Sequence, residues 1–143
     1  MFGRHNKLDT DWLGTVPFFR DFNASELEEV ANLGNKIEAE VGAELTDQGR
    51  FGDVCYVIVE GTANVVMNGE YVATVGPGSM VGEMALLEHR PRNASVIAEQ
   101  EMVLVAFTTK DFRAMLDRSP SANEKVLTLL NARVAANRDR SAE

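Results

Sequence analysis

The sequence predicts a mostly β protein with flanking helices, a jelly-roll-like β-roll sandwich with helices before and after it. Short runs of alternating or apolar residues, separated by turn residues, fill residues 36–107. Helical patterns occupy residues 8–34 before this region and 109–137 after it. Because 143 residues suit one domain with a sizeable core, we expect residues 1–143 to form a single domain.

The first helical region has a well-defined helix start. Asn23 stands where an N-cap is expected, and Glu26 follows three residues later, as in a capping box. Phe22 just before the cap is placed to pack against Leu27. Residues 12–19 precede this helix, and we predict a short helix and a packed turn there.

Six strands are predicted in the middle region. They cover residues 37–41, 54–59, 63–67, 71–75, 95–98 and 102–107. The pair Asn68-Gly69 between two apolar runs predicts a type I′ hairpin, since both central residues of that turn need a positive φ. Many short strands with turns between them favour a sandwich or a barrel.

Two helices are predicted at the C-terminal end. A short one starts near Thr109, and a longer one starts at Pro120 with Ser119 as its cap. The longer helix carries a core-facing stripe of Val126, Leu129, Leu130 and Val134. We expect a polar tail after Ala136. We also expect no effector domain in this chain, because a helix-turn-helix DNA-binding domain, for example, needs more residues than remain.

Charge and composition exclude several classes of partner. The net charge of −8 argues against non-specific nucleic-acid binding, which depends on basic surface. No run approaches the roughly 18 apolar residues of a membrane span, and residues 1–7 lead into no secretory signal. The single Cys55 suits a reducing compartment. We therefore expect a cytoplasmic protein that binds neither nucleic acid nor membrane.

Enzymatic and metal-dependent functions have little support in the sequence. The chain has two histidines, His5 and His89, and their separation is not that of metal ligands. The glycine-containing run at residues 76–79 lacks the lysine and the spacing of a P-loop. We expect no catalytic residue, no metal site and no cofactor.

One segment, residues 82–96, combines the groups needed to bind a phosphate and a sugar hydroxyl. A glutamate such as Glu83 accepts hydrogen bonds from a hydroxyl, and an arginine such as Arg92 offers a planar fork of donors to phosphate oxygens. Residues 85–87 between them are predicted as a helical turn, whose free N–H groups favour an anion. A surface salt bridge between Glu83 and Arg92 is the alternative interpretation of this pair, and such a contact contributes little stability.

This segment resembles the phosphate-binding cassette of the cyclic nucleotide-binding domain family, with the pattern F-G-E-[LI]-A-L-[LIM]-x-x-x-P-R-x-A-[ST]-V. The match covers positions 82–83, 85–87, 91–92 and 94–96, with the three-residue spacer in between. The chain departs from the pattern at Val81, where an aromatic residue is usual, and has Asn93 after the arginine. We refer to residues 82–96 as the cassette.

The resemblance implies a binding site for a cyclic nucleotide. Within the cassette, the implied ligand-binding residues are Gly82, Glu83, Met84, Ala85, Arg92, Asn93 and Ala94. In this family the last helix folds over the base as a lid, which implicates Arg133 and Asn137; an exposed helix end or a dimer seam is the alternative for these two. The resemblance favours cyclic AMP over cyclic GMP, although Asn93 is able to serve phosphate, a guanine edge or a local turn.

Two functions of different classes remain open at this point. The first is a regulatory sensor module, with a cyclic nucleotide as ligand and an effector protein or a second copy of the chain contacting the C-terminal helix. The second is a protein–protein interaction module that keeps the fold but does not bind nucleotide. Members of the second kind usually lack the cassette glutamate or arginine, so Glu83 and Arg92 favour the first.

Overall fold

The computed structural model describes residues 8–86 and 90–142, with side chains described through residue 135. The strands in these ranges are β1 (Asn35–Ala39), β2 (Glu44–Thr46), β3 (Val54–Glu60), β4 (Ala63–Met67), β5 (Glu70–Val75), β6 (Met80–Val81), β7 (Ser95–Ala98) and β8 (Met102–Thr108). The α-helices are α1 (Thr10–Leu13), α2 (Ala24–Leu33), α3 (Thr109–Arg118) and α4 (Pro120–Ala142). Short 3-10 helices lie at Pro17–Phe19 and Glu83–Leu86.

The strands form two antiparallel sheets with orders β1-β8-β3-β6 and β2-β7-β4-β5. Apolar side chains from both sheets form one core, which includes Ile58, Val96 and Leu104. Burial of these side chains removes apolar surface from water and holds the two sheets face to face. The predicted β-roll with flanking helices is confirmed.

The hairpin between β4 and β5 has the predicted turn. Asn68 and Gly69 both have positive φ, at 54° and 81°, as a type I′ turn requires. The side chain of Gln48 holds this turn from outside: its amide nitrogen donates to Asn68 Oδ1, and its Oε1 accepts from the Asn68 N–H, each at 2.8 Å. The turn after β2 is thereby tied to the tip of this hairpin.

The capping box at the start of α2 is confirmed. Glu26 N–H donates to Asn23 Oδ1, and Asn23 N–H donates to Glu26 Oε1, both at 2.8 Å. The carboxylate of Glu26 also accepts from Ser119 Oγ at 3.2 Å and pairs with Lys125 Nζ at 3.1 Å. One buried glutamate therefore joins α2 to the junction of α3 and α4.

An aromatic cluster forms a second core between the helices and the first sheet. Phe19 stacks on Phe112 at 6.1 Å, and Phe107 from β8 meets Phe112 edge-on at 5.5 Å. Phe18 meets Phe19 edge-on, also at 5.5 Å. Edge-to-face and offset pairs suit the ring quadrupole. This cluster fixes α3 to the sheet, and Ala122 and Val126 of α4 belong to the same apolar core.

The structure corrects some boundaries. The first strand is β1 at Asn35–Ala39 rather than 37–41, and Val41 lies 64% exposed in the turn beyond it. The cap of α3 is Thr108, whose Oγ1 accepts from Asp111 N–H at 3.1 Å. The predicted helix end at residue 137 is wrong as well: the polar residues after Ala136 continue α4 to Ala142, because no glycine or proline follows to end it.

Two strands were not predicted from the sequence. β2 and β6 have three and two residues, too few for a periodic pattern, and they exist through pairing with β7 and β3. Among the helices that the structure describes, none combines the length and hydropathy required to span a bilayer.

Candidate functional site

A cavity of about 1130 Å³ lies between the second sheet, the cassette and α4. The cassette supplies one wall through Gly82–Ala85 and residues 90–94. The opposite wall is apolar and comes mainly from β4 and β5, with Val65, Met67, Val72 and Val75. Arg133 and Val134 of α4 complete the lining from a third direction.

The cassette begins on a fixed part of the fold. β6 pairs with β3 through Tyr56–Val81 and Val57–Met80, so the chain enters the cassette directly from a sheet. Gly82 then has a φ of +81°, a conformation that favours glycine. The 3-10 helix Glu83–Leu86 follows, with Ala85 N–H donating to Gly82 carbonyl at 3.3 Å. The helical turn predicted at residues 85–87 is present but starts earlier, and Leu87 lies outside the described residues.

Arg92 is half-buried and uses part of its guanidinium within the protein. Its Nη1 donates to the Gly82 carbonyl at 3.0 Å and its Nη2 to the Val54 carbonyl at 2.7 Å. A guanidinium has more N–H donors than these contacts use. The head group of Arg92 is therefore held in a fixed orientation at the cavity wall, with donors remaining for an anion.

Glu83 forms an ion pair with Arg133 of α4 rather than with Arg92. The Glu83 side chain is 15% exposed and that of Arg133 is 37% exposed. The Arg133 guanidinium also lies over the Phe18 ring, 5.7 Å from its centroid, a cation–π arrangement. The alternative of a surface Glu83–Arg92 salt bridge is thus wrong, and the cassette carboxylate contacts the C-terminal helix directly.

The charges around the cavity differ in sign from the whole chain. Its described lining contains one glutamate, Glu83, and three arginines, Arg90, Arg92 and Arg133, although the chain carries a net charge of −8. An excess of one sign of charge in a concave site focuses its field. The cavity is accordingly suited to an anion that also carries hydrogen-bond donors for Glu83.

The remaining predicted cassette residues also line the cavity. Met84 and Ala85 are half-buried, Asn93 is exposed, and Ala94 is buried. The Ala94 carbonyl accepts from Thr46 Oγ1 at 3.0 Å, which fixes this end of the cassette to β2. Of the last predicted pair, Arg133 lies at the cavity, whereas the side chain of Asn137 lies outside the described residues. His89 and its two predecessors in the cassette lie outside them as well.

The sequence interpretation missed two groups of residues. One is the apolar wall from β4 and β5, where Val72 is 39% exposed. This exposure is visible only in the structure, so the sequence offered no signal for the wall. The other is Gly52 in the turn before β3 together with Val54, the first residue of β3, both of which lie against the Arg92 side chain. Gly52 has no local sequence signal, because the side chain that lies against it, Arg92, comes from a distant segment of the chain.

Two other kinds of chemistry have no support in the described residues. Cys55 is buried, and burial raises the pKa of its thiol to about 12, so the nucleophilic thiolate is not populated near neutral pH. In the described part of the chain, no group of three or more His, Cys, Asp or Glu side chains is arranged to hold a metal ion.

Comparison with known proteins places this geometry in a family. The family model described as Cyclic nucleotide-binding domain matches residues 36–119. A Pycsar effector protein from Xanthomonas perforans is 34% identical over 115 residues, covering 79% of this chain and 38% of that protein. A cAMP-dependent protein kinase regulatory subunit from Debaryomyces hansenii is 34% identical over 106 residues, covering 73% of this chain and 24% of that protein.

A solved structure agrees with these sequence matches. The regulatory domain of protein kinase A from Toxoplasma gondii, crystallised with cAMP, has a TM-score of 0.77 and 26% identity, covering 89% of this chain and 48% of that one. The chain spans about a quarter to two fifths of the two curated relatives. With the matched cassette and the β-roll around it, the chain belongs to the cyclic nucleotide-binding domain family.

Proposed function

We propose that this chain binds a cyclic nucleotide in the cavity between the cassette and α4 and acts as a regulatory module. The observation that carries the proposal is the combination of a fixed Arg92 and a half-buried Glu83 at one cavity with a net positive lining. A cyclic phosphate carries one negative charge, and its ribose presents a single free hydroxyl, so one donor fork and one acceptor match the ligand.

Each residue has a defined task in this proposal. Arg92 donates to the exocyclic phosphate oxygens through the N–H groups that Gly82 and Val54 leave free. Backbone N–H groups near Ala85 and Ala94 complete the phosphate contacts. Glu83 accepts from the ribose 2′-OH; its carboxylate has a second oxygen for this bond while Oε1 pairs with Arg133.

The base would lie against the apolar wall formed by Val65, Met67, Val72 and Val75. Such a wall favours the flat face of a base but distinguishes bases poorly, since it offers no hydrogen bonds. We assign cyclic AMP rather than cyclic GMP as the preferred ligand because the relatives from Debaryomyces hansenii and Toxoplasma gondii carry cAMP in their descriptions. Asn93 and Asn137 remain the candidates for a polar contact with ligand.

The signal in this proposal leaves through α4. The Glu83–Arg133 pair connects the ribose acceptor to that helix, so ligand and helix position are energetically linked. An effector protein or a second copy of this chain is the partner we propose for the helix. The alternative, an interaction module that binds no nucleotide, is disfavoured because neither Glu83 nor Arg92 has been lost.

Isothermal titration calorimetry of the chain with cyclic AMP, cyclic GMP and cyclic CMP tests the proposal. We expect saturable binding with cyclic AMP the tightest, and no comparable binding of linear 5′-AMP, whose extra charge and open phosphate do not match the cradle. Absence of heat with every cyclic nucleotide would favour the interaction module. Tighter binding of cyclic GMP would overturn the base assignment and leave the rest intact.

A further inference from the structure

The turn at residues 47–53, between β2 and β3, holds Arg92 although it contributes no cassette residue. The backbone of Arg92 is paired with this turn twice: its N–H donates to the Arg50 carbonyl, and its carbonyl accepts from Gly49 N–H, each at 2.8 Å. Its side chain donates to the carbonyl of Val54, the first residue of β3 directly after this turn. The arginine thus takes its position from this turn as well as from the cassette.

Two glycines enclose the guanidinium. A Cβ atom added at Gly52 would lie 2.5 Å from Arg92 Nη2 and 2.7 Å from its Nε. A Cβ added at Gly82 would lie 2.6 Å from Arg92 Nη1. These separations are shorter than packed atoms tolerate. We call the space between these two glycines the guanidinium slot; in this position of Arg92 it admits no side chain at either residue.

The two glycines differ in one respect that makes Gly52 the informative one. Gly82 has a φ of +81°, so any other residue there is strained whatever space is available. Gly52 is not among the residues of positive φ, and the three nearest atoms to its added Cβ all belong to the Arg92 guanidinium. An alanine at position 52 therefore meets the Arg92 guanidinium before any other group.

We propose that Gly52 is a positioning residue for Arg92. By leaving room for the guanidinium, it lets Arg92 reach the Gly82 and Val54 carbonyls and so directs the remaining donors toward the ligand phosphate. The part of this inference that concerns ligand rests on the proposed function. The steric part, that residue 52 and the Arg92 side chain compete for the same space, stands on the geometry alone.

A double-mutant cycle with Gly52→Ala, Arg92→Ala and the two combined tests the inference. Cyclic AMP affinity and thermal unfolding without ligand are measured for each. Gly52→Ala should weaken cyclic AMP binding about tenfold or more, since small displacements of a charged contact are costly. In the Arg92→Ala background the same change should have no further effect, because the slot is then empty.

Gly14→Ala is the matched control. Gly14 ends α1 with a φ of −65°, and its added Cβ would make only ordinary contacts, 3.4 Å from Leu27 Cδ1 at the nearest. This variant should bind cyclic AMP as tightly as the parent chain. It measures the general effect of a glycine-to-alanine change at a negative φ.

Several results would overturn the inference. These are unchanged affinity in Gly52→Ala, or an equal loss of affinity with and without Arg92. If Gly52→Ala fails to fold, the stability of the combined variant decides. A combined variant as stable as Arg92→Ala supports the slot, whereas a combined variant that also fails to fold contradicts it. If the parent chain binds no cyclic nucleotide, the proposed function fails, while coupling between positions 52 and 92 in unfolding still tests the slot.

Discussion

Arg92 and Glu83 are the two residues whose surroundings decide what the cavity binds. Arg92 has a fixed head group, with two carbonyls accepting from it at 3.0 and 2.7 Å. Glu83 has one carboxylate oxygen engaged by Arg133. A donor fork and an acceptor that are both immobilised lose little conformational entropy when a ligand binds, which favours affinity.

Arg92→Ala is expected to leave the protein folded and to weaken cyclic AMP binding by about 2–4 kcal/mol, because a desolvated phosphate loses its charged partner. Arg92→Lys should recover little of that loss, since an ammonium cannot bond two carbonyls and a phosphate in one plane. Calorimetric titration with circular dichroism as the folding check makes the measurement. Unchanged cyclic AMP affinity in Arg92→Ala would mean that the phosphate does not contact Arg92.

The proposed hydrogen bond between Glu83 and the ribose is tested by changing the ligand as well as the protein. If Glu83 accepts from the ribose, 2′-deoxy cyclic AMP should bind the parent chain more weakly by about 1.5–3 kcal/mol. The penalty should disappear in Glu83→Ala, because both changes remove the same hydrogen bond. Glu124→Ala, an exposed glutamate on α4, is the control and should keep the full penalty. Additive losses in the Glu83 cycle would assign the carboxylate another role.

At the scale of elements, two ion pairs attach α4 to the rest of the fold. Near its start, Lys125 pairs with the buried Glu26 of α2 at 3.1 Å. Near residue 133 it is attached through the pair with Glu83. Only the second attachment involves a residue of the cavity. We therefore expect the start of α4 to stay fixed while ligand acts on its distal part.

Truncation of α4 tests this division. A chain ending at Ala132 loses Arg133 and Val134 and should bind cyclic AMP more weakly while the β-roll stays folded. A chain ending at Ala135 keeps both residues and is the control. In the full chain, hydrogen exchange should slow in the distal part of α4 when cyclic AMP is added and stay unaltered near Lys125. Equal affinities for the two truncated chains, with unaltered exchange, would contradict the role of this helix.

The first attachment of α4 predicts a pH dependence of stability. Burial by itself raises the pKa of Glu26, but the hydrogen bond from Asn23 N–H and the interactions with Lys125 outweigh it, so the net pKa is lowered. A lowered pKa contributes stability above the ordinary pKa of a glutamate, and that contribution is lost as the pH falls through the lowered value. Stability supplied by Glu26 is therefore present at neutral pH and disappears in acid.

Glu26→Gln should lower the free energy of unfolding by about 1–2 kcal/mol at neutral pH, since Lys125 loses its charged partner. The difference should be smaller at pH 3 than at neutral pH, because protonation of Glu26 removes the charge that distinguishes it from glutamine. Urea unfolding at the two pH values makes the measurement. Glu29→Gln, which removes the exposed pair with Arg118, is the control and should cost little. A deficit that persists undiminished in acid would mean that the charge of Glu26 is not the cause.

At the scale of the whole molecule, the sequence predicted the features that neighbouring residues form. It did not predict the contacts between residues far apart in the chain. The capping box at Asn23, the Asn68-Gly69 hairpin and the cassette each occupy neighbouring residues, so the sequence displays them directly. The Arg92–Val54 contact joins residues 38 positions apart, and Glu83 finds Arg133 only because α4 folds back over the cavity. Such pairings depend on the assembled fold and have no local signal.

The most direct test of the account is a map of where cyclic AMP binds. Amide chemical shifts of the ¹⁵N-labelled chain, followed during titration, should change most at Gly82, Glu83, Ala85, Arg92 and Ala94. Smaller changes should follow at Gly52 and around Arg133, while α2 stays unaffected. This pattern of shifts is expected if the cassette binds the nucleotide. Saturable shifts concentrated away from the cassette, or none at saturating cyclic AMP, would contradict it.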